Sequence, residues 1–291
     1  FPMLFLFRMI SVWLSVSVVT LLAADPPEDL HPGVLTPRKI FEGLDWKTDG
    51  RGDIGGIAEI TIPAGYRFIG PKGTVKALQL KTNLINGNEL GYIAPIDDRW
   101  YALFQFDPCG YVKDDEKDLL NTDEILADLR DQQEAANRDL RRRNLDTLEI
   151  LGWQNPPSYQ TGTNNLEWAV KLRTSDGVEV VNHYTKLLGR RGVMDVVLVC
   201  DEEQMPAVVP LYRKLLEGYS FKTGEAYAAY QNGDRVSHIG LSGLILKGDA
   251  PVGDPPNWFD RWVFPILGLI LVSIPFVKRY RDTRRRASEL S

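Results

Sequence analysis

Cysteine is scarce. The 291-residue chain has two, Cys109 and Cys200, in no CxxC pair and no metal-ligand spacing. That excludes a zinc ribbon and a thioredoxin-like redox motif. In an exported protein the two are free to form a disulfide or to stay as partly buried thiols, and sequence alone does not choose, because a bridge needs Cα atoms within about 7 Å. Histidine is almost as rare: His31, His183 and His238 are scattered, and a lone histidine is ordinarily a satisfied structural residue. The chain has no GxSxG elbow, no HExxH and no phosphate-cradling loop. Its one glycine-rich run, Gly50-Arg51-Gly52-Asp53-Ile54-Gly55-Gly56, precedes a strand, whereas a phosphate loop follows a strand and opens a helix. The expectation is therefore no metal, no cofactor and no assignable catalytic residue.

Positive charge is missing from most of the chain. The formal net charge is −5, but residues 278–291 carry +4 and residues 1–24 carry +1, leaving −10 on the 253 residues between. An acidic body excludes nucleic acid as a partner, since phosphates need a basic surface. Composition is otherwise that of a globular protein, 44% hydrophobic and 25% charged.

Long apolar runs occur only at the two ends. In residues 3–24 (MLFLFRMISVWLSVSVVTLLAA) Arg8 is the sole charge, an apolar run follows, and Ala23-Ala24 precede Asp25-Pro26-Pro27. This is the layout of a secretory signal peptide, residues 1–24; an uncleaved N-terminal anchor is the alternative. Phe1-Pro2 stand ahead of Met3, which suggests a start at Met3 or Met9. The second run, residues 258–277, contains 16 uncharged residues from Trp262 to Val277, about 24 Å of helix. Trp258 and Trp262 extend it as an interfacial aromatic belt, and Lys278 and Arg279 open the basic cluster KRYRDTRRR. Such a cluster stays cytoplasmic. Both ends predict one topology: soluble body outside the cytoplasm, one transmembrane helix, and a basic tail at residues 278–291 held in the cytoplasm, where it can also meet anionic lipid.

Between the ends the pattern is α+β with antiparallel sheet. Residues 25–39, with four prolines, read as an extended lead-in. A strand-rich lobe follows over 40–116: Ile57–Ile62 alternates apolar and polar residues, Pro63-Ala64-Gly65 breaks it, and Tyr66–Ile69 is placed to pair back as a hairpin. Thr74–Leu84 reads as a short helix; Leu90–Pro95 and Trp100–Phe106 read as strands. A charged helix is expected within 118–146, with Thr122 as N-cap, Asp123 and Glu124 in its first turn and arginines at its C-terminal end. Residues 150–222 form a β-β-β-α lobe: strands at 165–173, 179–188 and 192–200, then a helix over 204–216. The turns are too short for parallel crossovers, so the strands make an antiparallel meander with the helix across one face. Residues 223–257 are Gly- and Tyr-rich and then Pro-rich; Val236–Leu246 is apolar but too short to span a bilayer.

The run Gly152-Trp153, Pro157, Tyr159, Leu166-Glu167-Trp168-Ala169, Asn182-His183-Tyr184 and Leu187-Leu188-Gly189-Arg190-Arg191-Gly192-Val193 resembles the bacterial membrane-anchored proteins catalogued as domain of unknown function 2167. Ala58–Phe68, Gly110-Tyr111-Val112, Tyr227 and Asp234-Arg235 fit the same family, so the resemblance covers residues 53–250. It implies a membrane-anchored envelope protein and assigns no catalytic residue.

The residues singled out for binding are Arg190 and Arg191 in the predicted turn, with Trp168, Asn182 and Tyr184 on neighbouring strands. Arginine presents a planar fork to carboxylate or phosphate and stacks on aromatics. The expectation is an anion- or partner-binding edge for envelope polymer, lipid head groups or another envelope protein; the plainer reading is an exposed charged turn. The leading function is a non-enzymatic envelope module tethered to the bilayer. The rival is an envelope-polymer hydrolase with paired carboxylates drawn from Asp97, Asp98, Asp107, Glu167 and Asp195. A third reading, a stress or assembly factor signalling through the tail, has only fourteen residues to work with.

Overall fold

The computed structural model describes residues 37–81, 87–142, 146–200 and 202–247. The signal-peptide segment, most of the lead-in, the 258–277 span and the basic tail lie outside the described residues. Among the described residues no helix is long and apolar enough to cross a membrane.

The elements run α1 (Pro37–Glu42), β1 (Arg51–Ile54), β2 (Ala58–Thr61), β3 (Tyr66–Ile69), α2 (Pro71–Leu80), β4 (Glu89–Pro95), β5 (Tyr101–Asp107), α3 (Thr122–Arg142), β6 (Leu148–Gln160), β7 (Asn165–Thr174), β8 (Glu179–Leu188), β9 (Val193–Val199), α4 (Met205–Leu216), β10 (Tyr219–Phe221) and α5 (Leu241–Lys247). The main sheet has seven strands in the order β3-β4-β5-β9-β8-β7-β6; a small sheet has the order β1-β2-β10. All named strand pairs are antiparallel, so the α+β reading stands.

β7, β8 and β9 are the predicted meander, separated by Ser175-Asp176-Gly177 and by the Gly189–Gly192 turn. What sequence reading had set in separate lobes is continuous: β5 pairs with β9 from Tyr101↔Val199 to Asp107↔Val193, running one sheet through both stretches. The predicted 57–69 hairpin does not form. β2 pairs with β1 and β10, while β3 pairs with β4; the Pro63-Ala64-Gly65 break carries the chain from one sheet to the other, and Gly65 has φ +82°. α2 starts at Pro71, a favoured first helical residue. The cap of α3 is Asn121, one residue ahead of the predicted Thr122: Glu124 N–H donates to Asn121 Oδ1 at 3.2 Å, and Asn121 Nδ2 donates back to Glu124 at 3.2 Å. β6 is the sheet edge; its Pro156 and Pro157 are tolerated there because one side of an edge strand needs no ladder donors.

Strand alternation gives the main sheet two covered faces. On one, Ala102, Phe104, Leu187, Met194, Val196 and Leu198 pack with Tyr212 and Leu215 of α4 and with Ile54, Ala58 and Ile60 of the small sheet. The opposite face holds two clusters. Tyr92, Ala94, Tyr101, Leu103, Val197 and Val199 lie with Phe41 of α1 and Ala77 and Leu78 of α2. Leu166, Trp168, Val170, Leu172, Val180 and Leu188 lie with Ile125 and Leu129 of α3 and Leu241, Leu244 and Ile245 of α5. Each buried Val, Leu, Ile, Phe or Met among these contributes about 1.5–3 kcal/mol relative to exposure.

Candidate functional site at one end of the main sheet

The turn between β8 and β9 is closed by Gly189 N–H donating to Gly192 O at 2.8 Å. Gly192 must be glycine: a Cβ there would sit 2.1 Å from the Asp107 carbonyl oxygen. Gly110 is equally constrained, at φ +96° with its missing Cβ 2.7 Å from Arg235 O. These two glycines let three chain segments close on one another. Gly110 N–H donates to Arg191 O (3.1 Å), Tyr111 N–H to Arg235 O (2.8 Å), Ser237 N–H to Tyr111 O (2.8 Å) and Arg190 N–H to Glu225 O (2.8 Å).

The two arginine forks are filled. Arg190 donates from Nε and Nη2 to the two oxygens of Asp234 at 2.7 and 2.8 Å. Arg191 does the same to Glu225, with Nε at 2.8 Å. Asp234 also accepts from Gln231 N–H at 2.7 Å, and together these donors hold its carboxyl down at about 2. The pair therefore fastens residues 225–235 over the sheet end. That segment delivers aromatics. Tyr111 lies between Tyr227 and Tyr230, ring centroids 4.5 and 4.3 Å away. Tyr227 donates to Val112 O at 2.9 Å, and burial pushes its hydroxyl pKa up. Tyr159, which accepts from Asn164 Nδ2 at 2.9 Å, is pushed up to about 12 by burial. Tyr230 and Val236 are exposed, so this end presents an aromatic surface to solvent while its arginines are paired with the protein's own carboxylates.

Trp168, Asn182 and Tyr184 are not brought to the arginines. Trp168 and Tyr184 are direct cross-strand partners in mid-sheet, stacked at 5.0 Å, with Asn182 Nδ2 donating to Tyr184 Oη at 3.3 Å. Trp168 is 2% exposed, in the cluster under α3 and α5, and Arg190 lies six positions beyond Tyr184 in the turn.

The carboxylates considered for hydrolysis are dispersed. Asp97 is exposed and pairs with Arg99 at 2.6 Å. Asp98 accepts from Tyr92 Oη at 2.7 Å and meets Lys81 at 2.5 Å. Asp195 is buried against Lys186 at 2.8 Å. Asp107 is buried on the same face, diagonal to Asp195 in the β5–β9 register. Glu167 belongs to a group that sequence reading missed. Its Oε1 takes Arg213 Nε of α4 at 2.9 Å and faces His183 Nε2 at 3.1 Å. Burial raises its pKa, but the His183 and Arg213 hydrogen bonds outweigh that and bring it to about 2. His183 is 3% exposed, Tyr212 meets it edge-on at 5.6 Å, and its Nδ1 is buried without a partner. It lines a cleft of about 340 Å³, counting space continuous with solvent, where β8 and β9 part beyond His183↔Leu198. Only the alternation placing Glu167 and His183 on one face hinted at this, since Arg213 comes from a distant helix. Cys109 is buried, Cys200 lines the same cleft, and neither forms a disulfide. Among the described residues no three metal-ligating side chains gather.

A family model described as Protein of unknown function (DUF2167) matches residues 47–252. The chain belongs to this family. In this DUF2167 protein Gly110-Tyr111-Val112, the Gly189–Val193 turn, Tyr227 and Asp234-Arg235, pieces that carry the resemblance in sequence, all meet at the one sheet end. Among solved structures, cyanobacterial PsbP (CyanoP) from Synechocystis sp. PCC 6803 is similar at 12% identity and TM-score 0.34, covering 67% of this chain and 99% of that one. A likeness at that level says nothing about ligand or activity. No curated protein matches the chain.

Proposed function

We propose that this DUF2167 protein is a single-pass envelope protein, its soluble body outside the cytoplasm and its basic tail inside, acting as a binding or assembly module. The observation that carries this reading is the uncharged run Trp262–Val277 followed at once by Lys278-Arg279-Tyr280-Arg281 and Arg284-Arg285-Arg286. The secretory layout of residues 1–24 and the acidic body favour the same topology. The tyrosine surface around Tyr111, Tyr227 and Tyr230 is the contact region this reading assigns, because aromatic rings suit the wet, partly apolar interfaces of recognition surfaces. Reporter fusions test it. An export-dependent reporter after Gly253 is active and a cytoplasm-dependent one silent; after Ser291 the pattern reverses. A cytoplasmic signal at Gly253 overturns the reading.

One placement favours the rival, an envelope-polymer hydrolase. Asp107 and Asp195 are diagonal neighbours on one face, a register position whose residues generally stand about 7–8 Å apart, and paired glycosidase carboxylates work at roughly 5–9.5 Å. Clearing of purified cell-wall polymer by the full chain, lost in Asp107→Asn, would establish it; no clearing by the wild type removes it.

A further inference from the structure

Opposite the turn end, around the β4–β5 turn, a second basic group sits among aromatic rings. Arg67 of β3 lies with its guanidinium carbon 4.4 Å from the Trp46 ring centre and 5.1 Å from that of Phe41. Lys81, which caps the C-terminal end of α2, holds its ammonium 4.5 Å from the Tyr101 ring, 5.1 Å from Phe41 and 5.4 Å from Tyr92. Both cations converge on one carboxylate, Asp98, Lys81 at 2.5 Å and Arg67 at 3.7 Å. Asp98 has φ +54°, a conformation a non-glycine residue rarely adopts, and Tyr92 Oη donates to its Oδ1, the oxygen nearest Arg67, while Lys81 meets Oδ2.

Arg67 is the unusual member. Its side chain is only 12% exposed, yet among the described residues its guanidinium makes no hydrogen bond, and Nε is buried with no acceptor. Arginine carries five donors in a rigid fork, and a buried donor without an acceptor costs about 1–3 kcal/mol. Packing alone does not call for this: the stem of a methionine would fill the same slot against Trp46 and Phe41 without the cost. Burial lowers the Lys81 pKa, with the Arg67 charge adding to that, and Asp98 opposes it; an arriving anion would relieve both strains.

We propose that Arg67, with Lys81 beside it, is a binding site for a small oxyanion, a carboxylate or phosphate group, which accepts the hydrogen bonds the Arg67 fork leaves unmade. Trp46 and Phe41 flank the guanidinium, Asp98 keeps Lys81 in place, and the ligand's oxygens accept from the fork. The site is independent of membrane attachment, so its failure and that of the topology reading are separable.

The test is calorimetric titration of the full chain at constant ionic strength with inorganic phosphate and, separately, with acetate. Saturable binding is expected for at least one. It weakens roughly tenfold in Arg67→Lys, which keeps the charge and loses the fork, and is unchanged in Arg141→Lys on α3. Binding of phosphate alone identifies a phosphate-bearing ligand; binding of acetate identifies a carboxylate-bearing one. No saturable heat with either anion, or equal binding by Arg67→Lys, overturns the proposal. Should Arg67→Lys fail to fold, Lys81→Gln replaces it: weaker binding is expected, and unchanged binding overturns the site.

Discussion

The two ends of the main sheet treat arginine in opposite ways. At the β8–β9 turn, Arg190 and Arg191 each donate twice to a carboxylate on the 225–235 segment. Beside the β4–β5 turn, Arg67 sits over the Trp46 and Phe41 rings and donates to nothing among the described residues. A fork already filled by the protein's own carboxylates acts as a fastener. A fork seated among aromatics with no protein acceptor for its donors is the binding element proposed above. The Glu167–Arg213 pair, which joins β7 to α4, belongs with the fasteners. The difference lies in what surrounds the arginine, since the residue type is the same throughout.

The largest expected effect sharpens the fastener half. Glu167→Ala strips the acceptor from buried His183 and from Arg213 at once, and urea unfolding should show a loss on the order of 2 kcal/mol. A loss indistinguishable from zero would break the analogy between this pair and the turn. The same carboxyl sets a pH dependence. Its ordinary value of 4.5 is lowered to about 2 in the folded protein, so its stabilisation is complete above about pH 4.5 and disappears as pH falls toward 2. Glu167→Gln should flatten that part of the acid-unfolding curve. Asp234, lowered from 3.8 to about 2, contributes in the same direction slightly lower on the scale, and its share should remain.

Next in size is release of the 225–235 segment. Arg190→Ala leaves Asp234 facing the sheet end without its fork, and limited proteolysis should cut within 224–237 faster than in the wild type while far-UV circular dichroism stays unchanged. Arg191→Ala should do less, because its side chain is 63% exposed and water replaces the lost bonds. Equal protection in both variants and the wild type would mean that Tyr111, Tyr227 and the backbone bonds hold the segment alone. The smallest effect is at the other end. Arg67→Met in anion-free buffer should shift unfolding by less than about 1 kcal/mol, or stabilise, since it removes a desolvated charge that makes no hydrogen bond. A large loss there would put Arg67 among the fasteners.

The sequence made the meander legible because turn chemistry at Ser175-Asp176-Gly177 and at the Gly189–Gly192 turn fixed both strand ends and antiparallel pairing. It hid β6, whose outer half, Gln154-Asn155-Pro156-Pro157, has neither alternation nor strand formers; an edge strand survives on partner bonds from β7 alone. Partner choice was equally hidden: β2 reaches β10, about 160 positions away, and no local pattern reports that. At the site, the arginine turn stood out on its own, but what occupies its forks arrives 34 and 44 positions later. Arg67 gave no signal at all, because its meaning rests on Trp46, Phe41, Lys81 and Asp98 converging from three other segments. His183 likewise read as a lone histidine until Arg213 and Glu167 closed around it.

The most direct measurement is the proton–nitrogen spectrum of the arginine Nε–H groups in the full chain, first without added anion and then with inorganic phosphate and with acetate. The account predicts hydrogen-bonded shifts for Arg190 and Arg191 that do not move, and a non-bonded shift for Arg67 that moves to the bonded range as anion is added. An Arg67 signal already in the bonded range and unmoved by either anion, or turn arginines that move instead, would contradict it.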